Sequence, residues 1–328
     1  MRDIFRQRGS AASLVAASAI FGLWNTAYKY AVSSLPVTTV LPVMLLVAAA
    51  MLWAVVLGTG GRRLGRGQLR RVAVAGVVDP AVGYAAIGLG LTHVAATVSA
   101  MLDGTEACFV VFFAAISARR SPGARAVCGV LVSAAGVAVL AGNRALPGIG
   151  RWDLVVLAGV ACAGLCNVLT DRVLSDDVPP LTMTACQMGF AALCTFPLLG
   201  LQWRHAGALA GQAARPAAWA AAIACGAGLA VAFLLYNYAI TRIPVITAGM
   251  ILNAIPVFGV GAAVLFLGER ISWAQAGGAV IILIAFFLFE EGADHREGSA
   301  GVTLGLHAAD VQTAAKAVPN CLRGLLTR

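Results

Sequence analysis

At 328 residues, 60% hydrophobic and only 11% charged, the chain is far more apolar than a soluble domain, where about a quarter of residues are charged. Such a composition cannot cover a water-facing surface, which excludes an ordinary cytosolic protein. A net charge of +9 would suit nucleic-acid binding, but the placement of the basic residues assigns it to membrane topology instead.

A basic start over residues 1–10 leads into a first apolar run near 11–33. The run is long, carries Trp24, Asn25 and Lys29, and is followed by no clean small-residue cleavage site. It is therefore expected to be a retained span rather than a signal peptide. Further apolar runs follow near 38–58, 72–92, 94–117 and 124–141, and then, after a junction at 142–151, near 153–173, 179–201, 217–240, 244–267 and 272–290. Each approaches or exceeds the ~20 helical residues needed to cross a bilayer core. Isolated Gly and Pro within them are compatible with membrane helices, where neighbours satisfy the freed backbone groups. From 291 to 328 the chain turns polar and Ala-rich, a loose cytoplasmic tail by expectation. The predicted class is an all-α integral membrane protein of ten transmembrane helices.

With the N-terminus placed inside, 17 basic residues fall in inside segments and 5, Arg144, Arg151, Arg204, Arg215 and Arg270, in outside loops. This positive-inside bias predicts that both termini are cytoplasmic. Trp152, Trp203, Trp219 and Trp273 fall at predicted outer span ends, where amphipathic rings favour the interface.

The five-span unit is written twice. Thr97, Leu102, Val110, Arg120 and Val130 recur 150 residues later as Thr247, Leu252, Val260, Arg270 and Val280. Near the start of each unit, Gly22-Leu23-Trp24-Asn25 recurs as Gly164-Leu165-Cys166-Asn167. An odd number of spans sends the second unit (152–290) into the membrane from the side opposite the first (11–141), which makes an inverted repeat. Such pairs of bundles commonly build a central solute site that opens alternately to each side, so the pattern implies a transporter.

The run Asn253-Ala-Ile-Pro256-Val-Phe-Gly-Val-Gly-Ala-Ala-Val-Leu-Phe-Leu-Gly268-Glu269-Arg270, with Gly277-Gly278 in the next span, resembles the drug/metabolite transporter superfamily. It resembles specifically the EamA-type branch, whose repeats end their fourth helix in a Pro-containing apolar run and a Gly-Glu-Arg turn. The resemblance extends over roughly residues 10–290 and implies transport of a small molecule, often export of a metabolite or drug. The first unit departs from the pattern. It reads Ala118-Arg119-Arg120 at the turn, and Asp103 and Glu106 stand where the second unit has Asn253 and Pro256. Glu269 and Arg270 are read as structural, a pair that caps the next helix at a tight turn near the interface, because surface ion pairs more often position than bind.

Charged groups at membrane depth usually face a cavity or a partner. Asp103 and Glu106, three apart in the fourth run, are expected on one helical face, ~14 and ~18 Å from its outer edge. Two carboxyls this close titrate as a coupled pair, the chemistry needed to carry a proton or to release one to a cationic solute. They are the predicted coupling residues. Asn25 and Asn167, related by the repeat, and Asn253 offer uncharged hydrogen-bonding groups at span depth. Trp24 and the Tyr236-Asn237-Tyr238 cluster offer aromatic walls with polar tips. The expected substrate-binding set is therefore Trp24, Asn25, Asp103, Glu106, Asn167, Tyr236 and Asn253, in a cavity lined by the first, third, fourth, sixth, eighth and ninth spans. Lys29 has two readings, a snorkel to the outer interface or a pairing with Asp103 across a depth difference of about 10 Å. Asp79 precedes Pro80, where a broken helix turn leaves backbone carbonyls for it to cap or for a cation to visit, with capping the favoured reading.

Four scattered histidines, eight cysteines without a CxxC pair and no Gly-x-x-x-x-Gly-Lys-Ser/Thr loop leave no metal site, cofactor or nucleotide-driven pump to expect. The expected partners are a small-molecule solute, the lipid bilayer and protons, and no nucleic acid. A polytopic membrane enzyme lacks a catalytic constellation here. A passive channel is the other alternative, and an inverted repeat favours alternating access over it.

Overall fold

The structure, a computed structural model, describes residues 2–61, 64–117, 128, 131–132, 135–137, 139, 150–174, 178–203, 215–241, 254–282 and 284. The helices are α1 (Arg2–Val32), α2 (Val37–Thr59), α3 (Arg66–Gly76), α4 (Gly83–Leu91), α5 (Ala96–Asp103), α6 (Glu106–Ser117), α7 (Arg151–Leu174), α8 (Pro180–Thr195), α9 (Pro197–Trp203), α10 (Pro216–Ile240), α11 (Ala254–Leu267) and α12 (Trp273–Ile282). No strand occurs among the described residues. Five continuous or nearly continuous helices are long and apolar enough to cross a membrane: Val37–Thr59, Arg66–Leu91, Arg151–Leu174, Pro180–Gly200 and Pro216–Ala239. The bent pair α5–α6 makes a sixth when taken as one span. α1 has the length, 31 residues, but carries the polar Asn25 and Lys29 within its apolar half. The fifth predicted run lies almost wholly outside the described residues, as do parts of the ninth and tenth.

Local chemistry sets these boundaries. α8 and α10 open on Pro180 and Pro216, where a fixed φ and a missing N–H fit the first helical position. α11 ends at Gly268, whose φ of 67° is the left-handed conformation that glycine adopts without a Cβ penalty. The next N–H, that of Glu269, returns to the Ala263 carbonyl at 3.4 Å, which satisfies one of the last carbonyls of the helix.

Two predicted spans are broken. The third is interrupted by a π-helical turn, Val77–Val82, in which Asp79 is extended at φ −150° and ψ 126°. The fourth breaks at Gly104-Thr105 and bends by 40°. Asp103 therefore ends one helix and Glu106 begins the next, and the single helical face expected for the two acids is divided at the point between them. Isolated Gly is common in membrane helices, so Gly104 alone did not mark the break.

The packing joins the two halves of the chain. α1 packs on α10 and α11, and α7 packs on α4 and α6. A Cβ on Gly22 of α1 would lie 2.6 Å from the Gly259 nitrogen of α11, and one on Gly164 of α7 would lie 2.7 Å from Phe109 Cβ of α6. These are the close approaches small residues permit between membrane helices. Gly22 and Gly164 are repeat counterparts, and Phe109 and Gly259 stand 150 residues apart, so the two contacts match each other under the repeat. Leu57, Leu193, Leu265, Phe266 and Trp273 are largely exposed. An outer surface of this kind suits lipid tails and not water.

Candidate functional site

The helices enclose a cavity of about 80 Å³, room for several waters at roughly 10–15 Å³ each. Its wall comes from α1 (Phe21, Trp24), the π turn and α4 (Asp79, Tyr84, Ile87), α5 and α6 (Asp103, Glu106), α7 (Val160, Ala163, Cys166, Asn167), α10 (Phe233, Tyr236) and α11 (Ile255).

The break in the fourth span lets its two acids reach different partners. Asn25 Nδ2 donates to Asp103 Oδ2 at 2.8 Å, and Asn167 Nδ2 donates to Glu106 Oε1 at 2.6 Å. Each asparagine is oriented by a hydroxyl on its carbonyl. Ser99 Oγ donates to Asn25 Oδ1 at 3.3 Å, and Tyr236 OH donates to Asn167 Oδ1 at 3.4 Å. Neither amide is free to flip without exchanging its donor for an acceptor. The repeat-related asparagines thus hold the two carboxyls from opposite halves of the chain by the same hydrogen-bond logic.

Trp24 stacks between Tyr28 and Tyr84, with ring centroids at 5.0 and 4.5 Å. Tyr28 OH donates to the Tyr84 carbonyl at 3.0 Å. The Tyr236-Asn237-Tyr238 cluster divides. Tyr236 lines the cavity, Asn237 donates to Thr184 Oγ1 at 2.7 Å, and Tyr238 is exposed. Helical periodicity forbids three successive side chains from sharing one face. Asn253 lies outside the described residues.

Lys29 does not take up the pairing with Asp103. Its Nζ donates to the carbonyls of Leu91 at 2.5 Å and Val94 at 2.8 Å, closing the end of α4, while Asp103 is taken by Asn25. Glu269 caps a helix, but not the one that follows it in sequence. Its Oε1 and Oε2 accept from the N–H groups of Ala96 and Thr97 at 2.8 and 2.7 Å, at the start of α5. Arg270 is exposed.

Sequence reasoning favours Asp79 as a cap of its own turn and leaves it out of the expected binding set. Rather than only capping its turn, it is buried at 2% exposure and lines the cavity. Its backbone carbonyl, freed by the π turn, accepts from Gln187 Nε2 at 3.1 Å and Cys166 Sγ at 3.3 Å. Its carboxyl lies against Gly83, where a Cβ would overlap Oδ1. Gly83 four residues after an acid was the available signal. Among the described residues no group of three or more His, Cys, Asp or Glu is arranged to hold a metal ion.

Residues from both halves of the chain thus line one acid-bearing, aromatic-walled cavity. Over 89 residues the chain is 33% identical to a probable terminal-alkyne amino-acid exporter from Streptantibioticus cattleyicolor, a match that covers 27% of this chain and 30% of that relative. A solved protein chain shares the fold at a TM-score of 0.55, with 21% identity over 88% of this chain and 99% of its own. The model of the EamA-like transporter family matches twice, at residues 9–142 and 150–290, taking in both halves and every described residue of the cavity. The chain belongs to the EamA-like transporter family.

Proposed function

We propose that this protein is a secondary active transporter that exports a small organic metabolite or drug across the plasma membrane by alternating access, with protons as the coupling ion. The observation that carries this reading is the pair of repeat-related asparagines, each holding one carboxyl of the broken fourth span. If the two halves rock against each other about the site, Asn25 and Asn167 move with different bundles and their grip on Asp103 and Glu106 changes in turn. A proton or a cationic group then replaces whichever asparagine withdraws. The matched contacts at Gly22 and Gly164 support the same inverted pseudo-symmetry in a ten-span molecule. The cargo in the relative's name is an amino acid, and an ammonium group is compatible with a carboxyl-lined cavity.

The direct test is purified protein in sealed vesicles loaded with a pH-sensitive dye and challenged with amines, amino acids and cationic dyes. An imposed solute gradient is expected to drive saturable proton movement. Solute flux that does not saturate and leaves the internal pH unmoved would identify a passive pore instead.

The orientation has its own test. The basic asymmetry places both termini in the cytoplasm. A reporter fused within residues 202–216 and another at the C-terminus are expected to report opposite sides of the membrane. Signals from the same side would overturn the ten-span topology.

A further inference from the structure

Two of the residues that line the cavity carry a buried side-chain atom with no hydrogen-bond partner, Asp79 Oδ1 and Trp24 Nε1. Asp79 is 2% and Trp24 7% exposed, so open water does not routinely satisfy them, and unpaired buried polar groups are rare in native proteins. They are of opposite kinds, because an indole N–H only donates and a carboxylate only accepts. The other two acids of the cavity differ from Asp79 in that each is held by an asparagine.

The charge is unbalanced in the same direction. The described wall holds three carboxyl residues and no Lys or Arg, and Lys29 is engaged with the Leu91 and Val94 carbonyls. The three acids do not form a cluster that could share one metal ion. Around them stand the faces of Trp24 and Tyr84 at a 4.5 Å centroid separation, and Phe21 and Phe233 at 5.3 Å. Packed on one another, these rings form an apolar wall for the carbon body of a bound solute. The local fold presents Asp79 for this use. Its extended backbone turns the chain out of the helix, Gln187 and Cys166 hold the freed carbonyl, and Gly83 leaves space for the carboxyl.

We propose that Asp79 anchors the ammonium group of the cargo and that the Trp24 N–H receives an oxygen acceptor on the same molecule. The cargo class is then a small protonated amine bearing a hydroxyl, carbonyl or carboxyl oxygen. The inference rests on the transporter reading only in treating the bound solute as cargo, since binding itself is independent of flux.

The test is equilibrium binding to the purified full chain in detergent, with four probes of one carbon skeleton: 2-amino-1-butanol, butylammonium, 1-butanol and butyrate. The expected order is aminobutanol tightest, then butylammonium, with 1-butanol and butyrate weakest. Asp79→Asn is expected to weaken both amines by about tenfold or more, the size of a lost hydrogen bond to a charged group, and to leave 1-butanol unchanged. Trp24→Phe keeps a ring and removes the N–H, so aminobutanol should fall to the level of butylammonium, which stays where it was. If Asp79→Asn fails to fold, the wild-type order and Trp24→Phe still decide. Butyrate or butanol binding as tightly as butylammonium overturns the proposal, as does an Asp79→Asn variant that weakens all four probes equally. Vesicles that move other solutes while the protein binds no amine remove the amine class and leave the transporter reading standing. Absence of both binding and flux removes both.

Discussion

Glu106→Gln is expected to abolish pH-dependent transport while leaving the protein folded and inserted. The substitution keeps the length of the side chain and an oxygen that accepts from Asn167 Nδ2, a bond of 2.6 Å in the native protein. It removes only the capacity to ionise. The second unit carries Pro256 at the matching position, so the fold does not require a carboxyl there, and α6 begins at Glu106 without depending on its charge. The groups that share the cavity with Glu106 and titrate or bear charge are Asp79, Asp103, Tyr84, Cys166 and Tyr236. Of these, Asp103 has the most similar setting, held by Asn25 at 2.8 Å. Asp103→Asn should therefore weaken coupling without eliminating it, since Glu106 can still exchange a proton. In vesicles, solute-driven proton flux for Glu106→Gln is expected at the level of protein-free controls, and solute counterflow should persist with a flattened pH profile. Normal transport with an unchanged pH profile would make Glu106 structural and remove the proton from the mechanism.

The parts of this site that the sequence made legible were those written in the repeat. Asn25 and Asn167 could be paired by the Gly-Leu-x-Asn recurrence alone, and the acids opposite them by the 150-residue spacing. Hydropathy outlined the spans, because helices in lipid must satisfy their backbone internally. It could not show where two of them break. A break at Gly104-Thr105 leaves the apolar pattern intact, and its consequence, two acids addressing two helices, is a tertiary fact. Asp79 was noticed through Pro80, but a local turn predicts local capping. Its position on the cavity wall depends on Gln187 and Cys166, which are 108 and 87 residues away. The partner of Lys29 was hidden for a similar reason. Depth along a single helix bounded its reach, whereas its actual acceptors belong to the end of α4, brought alongside α1 by packing. The Leu-Gly-Glu-Arg turn carried the family resemblance correctly, yet the helix that its Glu serves could be named only from the fold.

That service should make Glu269 the residue whose loss most lowers stability without touching the cavity. The N-cap position of α5 is Ala95, which makes no side-chain cap, so the first N–H groups of that helix would otherwise face a poorly solvated turn. Glu269 supplies both oxygens to Ala96 and Thr97, and its negative charge suits the positive end of the helix dipole. On the other side of the same turn, the Lys29 ammonium meets the last carbonyls of α4, where a cation is favoured. The turn from Leu91 to Thr97 is thereby held by opposite charges from α1 and from the end of α11. Glu269→Gln keeps one acceptor, loses the charge and aims an NH₂ at a backbone N–H, which should destabilise by roughly 2–3 kcal/mol, the range for a hydrogen bond to a charged group. In a chain of this size, at about 2.1 cal/mol/K of unfolding entropy per residue, that corresponds to a fall in melting temperature of roughly 3–4 °C in detergent, with reduced yield. Arg270, exposed beside it, should tolerate Gln within about 0.5 kcal/mol. Thermal melting of the two variants, alongside amine binding by the folded fraction, separates the roles. Wild-type melting of Glu269→Gln together with lost binding would mean that Glu269 acts on the solute and not on the turn. The matched position in the first unit is Arg119, so the acid at this place is written in the second unit only.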